Sequence, residues 1–159
     1  MKRFSIYLDT SVISHLQAND VPDKMATTLK LWSEIQNGNY KVYISGIVLS
    51  EIDECPEPKK TILNEYMERI EYEEILLNEE ILSLAQKYID EGIIPVKYRD
   101  DALHISSASV YNSNAIVSWN FKHMVKLKTI IGVNGINKFM GYNEIEILSP
   151  DSIIAEEEE

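Results

Sequence analysis

The sequence has a single cysteine, few glycines and prolines, and no long apolar run. One cysteine in 159 residues, Cys55, excludes a disulfide framework and a zinc site built from several cysteines of one chain. Six glycines and five prolines are too few for a collagen-like or linker-like chain. No segment approaches the roughly 18–20 continuous apolar residues of a membrane span, and the first apolar stretch breaks at Asp9. These absences predict a cytoplasmic protein without a membrane partner.

The remaining composition is typical of one folded domain. Hydrophobic residues make up 45% and charged residues 26% of the chain, a globular rather than a disordered balance. A length of 159 residues also suits one domain. The chain ends in a run of glutamates, so we predict a folded domain over residues 1–150 and an acidic tail over residues 151–159.

Positive charge is scarce and unevenly placed. The chain has 15 Lys and Arg against 26 Asp and Glu, a net charge of −11, which argues against a polyanionic partner. From Ala102 to Asn143, however, there is no acidic residue. That window contains the lysines Lys122, Lys126, Lys128 and Lys138. One stretch of an acidic chain is therefore locally basic.

Short β-branched runs alternate with segments of helical periodicity. Strands are predicted at residues 4–8, 41–45, 71–76, 114–119 and 144–148. Between them we predict helices, the first with Thr10 or Ser11 as its N-cap and a later one capped by Asn78. The last helix is predicted to start near His123 and to break near Gly132 to Gly135. This alternation predicts an α/β fold with a parallel sheet.

Polar residues follow the predicted strands where a parallel sheet binds its ligands. Asp9 and Asn120 end the first and fourth strands, and Glu51 lies in the helix after the second. Asp101 begins the helix before the fourth strand. Ligand sites lie at the carboxyl ends of parallel strands, and clustered carboxylates need a neutralising cation. Such oxygen donors favour Mg²⁺ or Mn²⁺, so the pattern predicts a site for one of these ions.

Four segments around these residues resemble, in order, the signatures of the PIN-domain family. They are Tyr-Leu-Asp-Thr-Ser-Val-Ile from Tyr7, Ser-Glu-Ile from Ser50, Asp-Ala-Leu-His-Ile-Ser-Ser-Ala from Asp101 and Val-Ser-Trp-Asn-Phe-Lys-His from Val117. The resemblance covers nearly the whole chain and implies a three-layer α/β/α sandwich with strand order 3-2-1-4-5. It also implies a metal-dependent ribonuclease with RNA as its substrate. Many members are toxins of toxin–antitoxin pairs, so an antitoxin partner is a further expectation.

By this resemblance, Asp9, Glu51 and Asp101 match the catalytic, metal-binding carboxylates. Asn120 matches a fourth catalytic and metal-binding position that is often Asp. Because an Asn is neutral, the four side chains carry a charge of −3 rather than −4, which favours one tightly held ion, with a second arriving on the substrate phosphate. One or two such ions can activate water and stabilise the charged transition state of phosphodiester hydrolysis.

Several other polar residues have two interpretations each. Thr10 and Ser11 either orient a metal-bound water or a phosphate, or simply cap a helix. Ser118 either holds Asn120 or a carboxylate, or is an ordinary strand residue. Other residues have simpler predictions: a structural role for His104, a core position for Tyr7, Trp32 and Trp119, and an inert Cys55.

The lysines and the oligomeric state also allow alternatives. Lys122, Lys126 and Lys128 are candidate RNA phosphate contacts, or else they belong to a solvated helix face. The apolar helices and the habit of the family are compatible with a homodimer.

Three alternatives to a nuclease are open to different degrees. Asn120 and the net charge of −11 leave room for a PIN-like module that binds RNA or a protein without cleavage. A receiver domain fits poorly because no acidic pair precedes the first strand. A dehalogenase-type phosphatase also fits poorly, since Ser11 stands where that class needs a second Asp.

Overall fold

The computed structural model describes residues 2–155, which form a five-stranded sheet between two layers of helices. The strands are β1 Phe4–Leu8, β2 Tyr40–Ser45, β3 Glu73–Ile75, β4 Ala115–Val117 and β5 Glu146–Leu148. All neighbouring strands pair in parallel, in the order β3-β2-β1-β4-β5. The α/β class, the parallel sheet and the order 3-2-1-4-5 are therefore confirmed.

Seven α-helices connect and cover these strands within the described residues. They are α1 Thr10–Ser14, α2 Pro22–Gln36, α3 Gly46–Asp53, α4 Lys59–Glu68, α5 Glu79–Asp90, α6 Arg99–Val110 and α7 Leu127–Met140. As predicted, Asn78 caps α5, and its Oδ1 accepts a hydrogen bond of 2.8 Å from the Ile81 amide. No helix in this part of the chain is both long and apolar enough to cross a membrane.

The two faces of the sheet carry separate hydrophobic cores. In β1, Ile6 and Leu8 face the core formed with α1 to α4, whereas Tyr7 faces the core formed with α5 to α7. This division follows from the alternation of side chains along a strand. Trp32 and Trp119 are buried in the first core, which confirms their predicted core positions together with that of Tyr7. Both faces of the sheet are covered, as parallel sheets require.

Two local predictions are wrong. The N-cap of α1 is Asp9, which accepts from the Val12 amide, so neither Thr10 nor Ser11 caps this helix. Helix α7 starts at Leu127 rather than near His123, and it continues through Gly132 and Gly135. A Cβ atom at Gly132 would meet Ile93 Cγ1 at 2.8 Å, so this glycine permits close packing on the segment between α5 and α6 and does not end the helix.

The predicted boundary near residue 150 falls close to the end of the described chain. Ile153 and Ile154 pack against the first core, and the Tyr40 hydroxyl donates to the Ile153 carbonyl at 3.0 Å. The glutamates at 156–159, which form most of the predicted acidic tail, lie outside the described residues. The division of the chain into a domain and a tail stays a prediction.

Candidate metal centre

The predicted site residues lie at the carboxyl edge of the sheet. Asp9 directly follows β1, and its amide donates to the Val117 carbonyl of the adjacent β4 at 3.3 Å. Helix α3, which carries Glu51, begins immediately after β2. Asp101 lies in the first turn of α6. Neighbouring parallel strands end at the same edge, and this brings residues distant in sequence to one place.

One open cavity of about 470 Å³ lies at this edge. Its lining residues are Asp9, Thr10, Ser11, Ser14, His15, Glu51, Asp100, Asp101, His104 and Asn120. The structure thus brings together the three carboxylates, Asn120, Thr10 and Ser11. None of the residues that line the cavity is a lysine or an arginine. The cavity is therefore rich in acidic oxygen atoms.

Asp9 is the most deeply buried of the carboxylates, with 4% of its surface exposed. Its Oδ1 accepts from Ser11 Oγ at 2.6 Å and from the Val12 amide at 3.2 Å. Its Oδ2 accepts from Ser118 Oγ at 2.5 Å. Burial nevertheless raises the pKa of Asp9 from 3.8 to about 6, and the nearby charge of Asp101 adds to the rise. A cation beside Asp9 would offset this cost.

Ser11 and Ser118 link Asp9 to the segment after β4. Ser11 Oγ accepts from the Trp119 amide at 2.9 Å, and Ser118 Oγ accepts from the Asn120 amide at 2.9 Å. Each hydroxyl thus donates to Asp9 and accepts from the backbone that leads to Asn120. Ser118 does not line the cavity, but its hydroxyl contacts both the Asp9 carboxylate and the backbone amide of Asn120. These bonds fix the Asp9 carboxylate relative to Asn120.

The amide of Asn120 is oriented towards Asp101. Its Oδ1 accepts from the His123 amide at 3.0 Å, and its Nδ2 donates to Asp101 Oδ2 at 3.3 Å. Because a backbone N–H can only donate, the oxygen of the side chain must face His123. The pKa of Asp101 is raised by burial, and the His123 charge and the Asn120 bond oppose that rise. Asn120 thus presents a donor to Asp101 in this arrangement.

Glu51 and Thr10 form the other side of the cavity. The pKa of Glu51 is raised mainly by burial, and the charges of Asp100, Glu54 and Asp101 raise it further. The Thr10 hydroxyl lies near enough to Glu51 to lower that pKa, although the contact does not meet the distance and angle of a hydrogen bond. Among the described residues, Thr10 Oγ1 is a buried side-chain oxygen without a hydrogen-bond partner. It is available to a water molecule or an ion.

The donor set fits a magnesium or manganese ion bound in an open mode. Within residues 2–155, no three or more His, Cys, Asp or Glu side chains form a ready-made metal cage. Mg²⁺ is commonly held by one or two carboxylates together with waters and substrate phosphates, so it does not need such a cage. Three carboxylates around one cavity and the unpartnered Thr10 hydroxyl suit this mode. Asp9, Glu51 and Asp101 would be the ligands.

The structure also adds residues that the sequence patterns did not single out. His15 lines the cavity, and its Nδ1 donates to the Ser11 carbonyl at 2.6 Å. The spacing of four residues between Ser11 and His15 was the available signal, since it places both on one side of a helical segment. Ser14 and Asp100 line the cavity as well. The lysines Lys122, Lys126 and Lys128 are exposed and lie outside it.

Comparisons with known proteins indicate the fold. No family model matches the chain, and no curated protein matches its sequence. The chain aligns with one chain of a crystal structure, that of VapBC2 from Rickettsia felis bound to a DNA fragment from its promoter. The TM-score is 0.56 and the sequence identity is 17%. The alignment covers 92% of this chain and 98% of that chain. Together with the strand order, this likeness identifies the fold as PIN-like.

A second solved structure aligns more weakly. Tyrosyl-tRNA synthetase from Archaeoglobus fulgidus, complexed with L-tyrosine, aligns with a TM-score of 0.48 and 9% identity. The alignment covers 93% of this chain and 56% of that chain. A score this low supports no argument about fold or function.

Proposed function

We propose that the chain is a metal-dependent endoribonuclease, a hydrolase that uses Mg²⁺ or Mn²⁺ to cleave RNA phosphodiester bonds. The observation that carries the proposal is the convergence of Asp9, Glu51 and Asp101 on one cavity. These residues come from three different elements at the carboxyl edge of a PIN-like sheet. This donor set suits a hard dication, and phosphodiester hydrolysis needs such a charge.

The residues around the cavity have separable roles in this proposal. Asp9, Glu51 and Asp101 would hold the ion, which when bound activates water and offsets the charge on the phosphoryl group. Ser11, Ser118 and the Val12 amide hold Asp9 by the three hydrogen bonds already described. Asn120 orients Asp101 through its Nδ2 atom. Thr10 Oγ1 is free to hold a water molecule near Glu51.

The direct test measures metal binding and RNA cleavage in parallel. Millimolar Mn²⁺ should raise the melting temperature, because a ligand that binds only the folded state stabilises it. The same Mn²⁺ should support cleavage of single-stranded RNA, and EDTA should remove both effects. A melting curve that is unchanged by Mn²⁺, together with intact RNA, would contradict the proposal. Metal binding without cleavage would favour the non-catalytic module that binds RNA or a protein.

The exposed lysines after Asn120 are the proposed contacts for RNA phosphates. Replacing Lys122, Lys126 and Lys128 together with Ala should weaken RNA binding and reduce the slope of log affinity against log salt by about two to three. Filter binding or fluorescence anisotropy at several salt concentrations measures both quantities. Lys138→Ala is the matched control, since Lys138 is exposed in the same acid-free window but lies in the last turn of α7. An unchanged triple variant would identify these lysines as a solvated face.

A toxin role with an antitoxin partner is part of the proposal. Its support is the resemblance of the sequence to PIN-domain toxins and the fold shared with a chain of VapBC2. The cavity carries four carboxylates and no lysine or arginine, so a partner that enters it should present positive charge. We also propose that the protein is located in the cytoplasm and forms a homodimer.

Copurification with the product of a neighbouring gene tests for an antitoxin partner. Light scattering of the purified chain tests for a homodimer.

A further inference from the structure

Three polar side chains form a hydrogen-bonded chain beneath the cavity, and one of them, His104, also lines it. They are Tyr7 in β1, Ser45 at the end of β2 and His104 in α6, and at most 3% of each is exposed. The Tyr7 hydroxyl donates to Ser45 Oγ at 2.7 Å and is 2.6 Å from His104 Nδ1. The Tyr7 and His104 rings also pack edge to face, with centroids 5.7 Å apart. We call these three residues the Tyr7 relay.

Each member of the Tyr7 relay belongs to, or directly precedes, a segment that carries a candidate metal ligand. Tyr7 is two residues before Asp9 in the same extended segment. Ser45 is the N-cap of α3, which carries Glu51. His104 is one helical turn after Asp101 in α6, and its Nε2 atom is 3.9 Å from Glu51 Oε1. The relay therefore joins the three elements that supply the three carboxylates.

We propose that the Tyr7 relay positions the metal site. Its two hydrogen bonds hold together the segments that carry Asp9, Glu51 and Asp101, and so they fix the distances between these three carboxylates. This inference rests on the proposed function, since it assigns a role towards the same ion. Tyr7 and Ser45 do not line the cavity, and His104, which does, has no proposed contact with the ion. They are positioning residues, and each acts through the element to which it belongs.

The chemistry of the relay supports a positioning role. A phenol hydroxyl can donate one hydrogen bond and accept another, so Tyr7 can bond to Ser45 and His104 at the same time. Burial lowers the pKa of His104 to about 4, so its ring is neutral at pH 7 and places no buried charge below the site. Phe would occupy nearly the same space as Tyr7 without these bonds. Buried polar groups hold their neighbours in place only while their hydrogen bonds are satisfied.

A second buried tyrosine provides a matched control. The Tyr88 hydroxyl donates to Asn137 Oδ1 at 2.5 Å, and it lies 3.3 Å from Ser109 Oγ, which can donate to it. Like Tyr7, Tyr88 has no exposed surface and lies in the second core. Its partners belong to α6 and α7, and none of the three lines the cavity. Tyr88→Phe therefore removes a buried, hydrogen-bonded phenol hydroxyl away from the proposed site.

Calorimetric titration of Mn²⁺ into the full chain tests the inference. Both Tyr7→Phe and Tyr88→Phe should lower the melting temperature of the metal-free protein. Only Tyr7→Phe should weaken Mn²⁺ binding, by about tenfold to a hundredfold, as is usual for residues that orient metal ligands. Tyr88→Phe should stay within about twofold of the wild type. A general loss of stability cannot produce this difference, because both variants lose a buried hydrogen-bonded hydroxyl.

Two variants of His104 provide an independent measurement. His104→Asn keeps a polar atom near the place of Nδ1, whereas His104→Leu leaves the Tyr7 hydroxyl without that partner. We expect His104→Asn to bind Mn²⁺ more tightly than His104→Leu. Equal Mn²⁺ affinities for Tyr7→Phe, Tyr88→Phe and the wild type would overturn the inference and leave the proposed function intact. A wild type that does not bind Mn²⁺ would overturn both.

Discussion

Replacing Asp101 with Asn should reduce Mn²⁺-dependent RNA cleavage by about a thousandfold. The substitution removes one of three charges that would hold the ion, and a catalytic ion contributes several kcal/mol of transition-state stabilisation. Each 1.36 kcal/mol corresponds to a factor of ten in rate. The Asn oxygen can still accept from Asn120 Nδ2, so the local hydrogen bond is retained. Initial rates with excess Mn²⁺ on one RNA substrate measure the effect.

The neighbouring Asp100 provides the control for this prediction. Asp100 lines the same cavity and lies in the same first turn of α6, but it is exposed and is not the position that the family resemblance selects. Asp100→Asn removes the same charge and should change the rate by less than about tenfold, as expected for an exposed charge. The opposite ranking of the two variants would assign the ligand to Asp100 and contradict the proposed site.

Replacing Asp9 with Asn should stabilise the metal-free protein at neutral pH. The folded-state pKa of Asp9 is raised to about 6, so the folded state keeps the proton at pH values where the unfolded state has lost it. The free energy of unfolding of the wild type therefore falls as the pH rises from about 4 to above 6. The Asp9→Asn variant lacks this contribution, because its side chain does not ionise. The rise in the pKa from 3.8 to about 6 corresponds to a loss of at most about 3 kcal/mol in the free energy of unfolding.

Urea unfolding in EDTA at pH 4.5 and pH 7.5 measures this difference. The advantage of Asp9→Asn over the wild type should be small at the lower pH and larger at the higher pH. Ser118 Oγ, which donates to Asp9, can accept from an Asn at the same position, so the substitution leaves this contact available. With saturating Mn²⁺ the order should reverse, because the wild type then gains the binding free energy of the ion. An advantage that is independent of pH would show that burial of the charge is not its cause.

The place of the site could be predicted from the sequence because it depends on chain order alone. Asp9 comes after β1, Asn120 comes after β4, and Glu51 lies in the helix that follows β2. Because neighbouring parallel strands end at the same edge of the sheet, these residues are expected there together. The orientation of the site residues could not be predicted in this way. Ser118 donates to Asp9 across 109 positions of sequence, and Ser11 accepts from the Trp119 amide across 108. Such contacts exist only once the sheet has formed.

Local propensity failed where tertiary contacts decide the structure. Gly132 and Gly135 indicated a helix break, but α7 passes through both, and Gly132 packs against the side chain of Ile93. The orientation of the Asn120 amide could not be predicted from local sequence either, because its Oδ1 accepts from the His123 amide and its Nδ2 donates to Asp101. Whether Asn120 also binds the ion stays a prediction.

The acidic lining of the cavity has a consequence for how its two proposed ligands depend on each other. Four carboxylates line the cavity, and Lys59 reaches only the lining Ser14, whose Oγ accepts from Lys59 Nζ at 2.9 Å. A phosphate that enters beside the carboxylates therefore meets repulsion that a dication would offset. The ion therefore raises the affinity of this edge for RNA. By thermodynamic reciprocity, RNA raises the affinity for the ion by the same factor. Ion and RNA would then bind cooperatively, and the ion affinity measured without RNA would be lower than the affinity that operates during turnover.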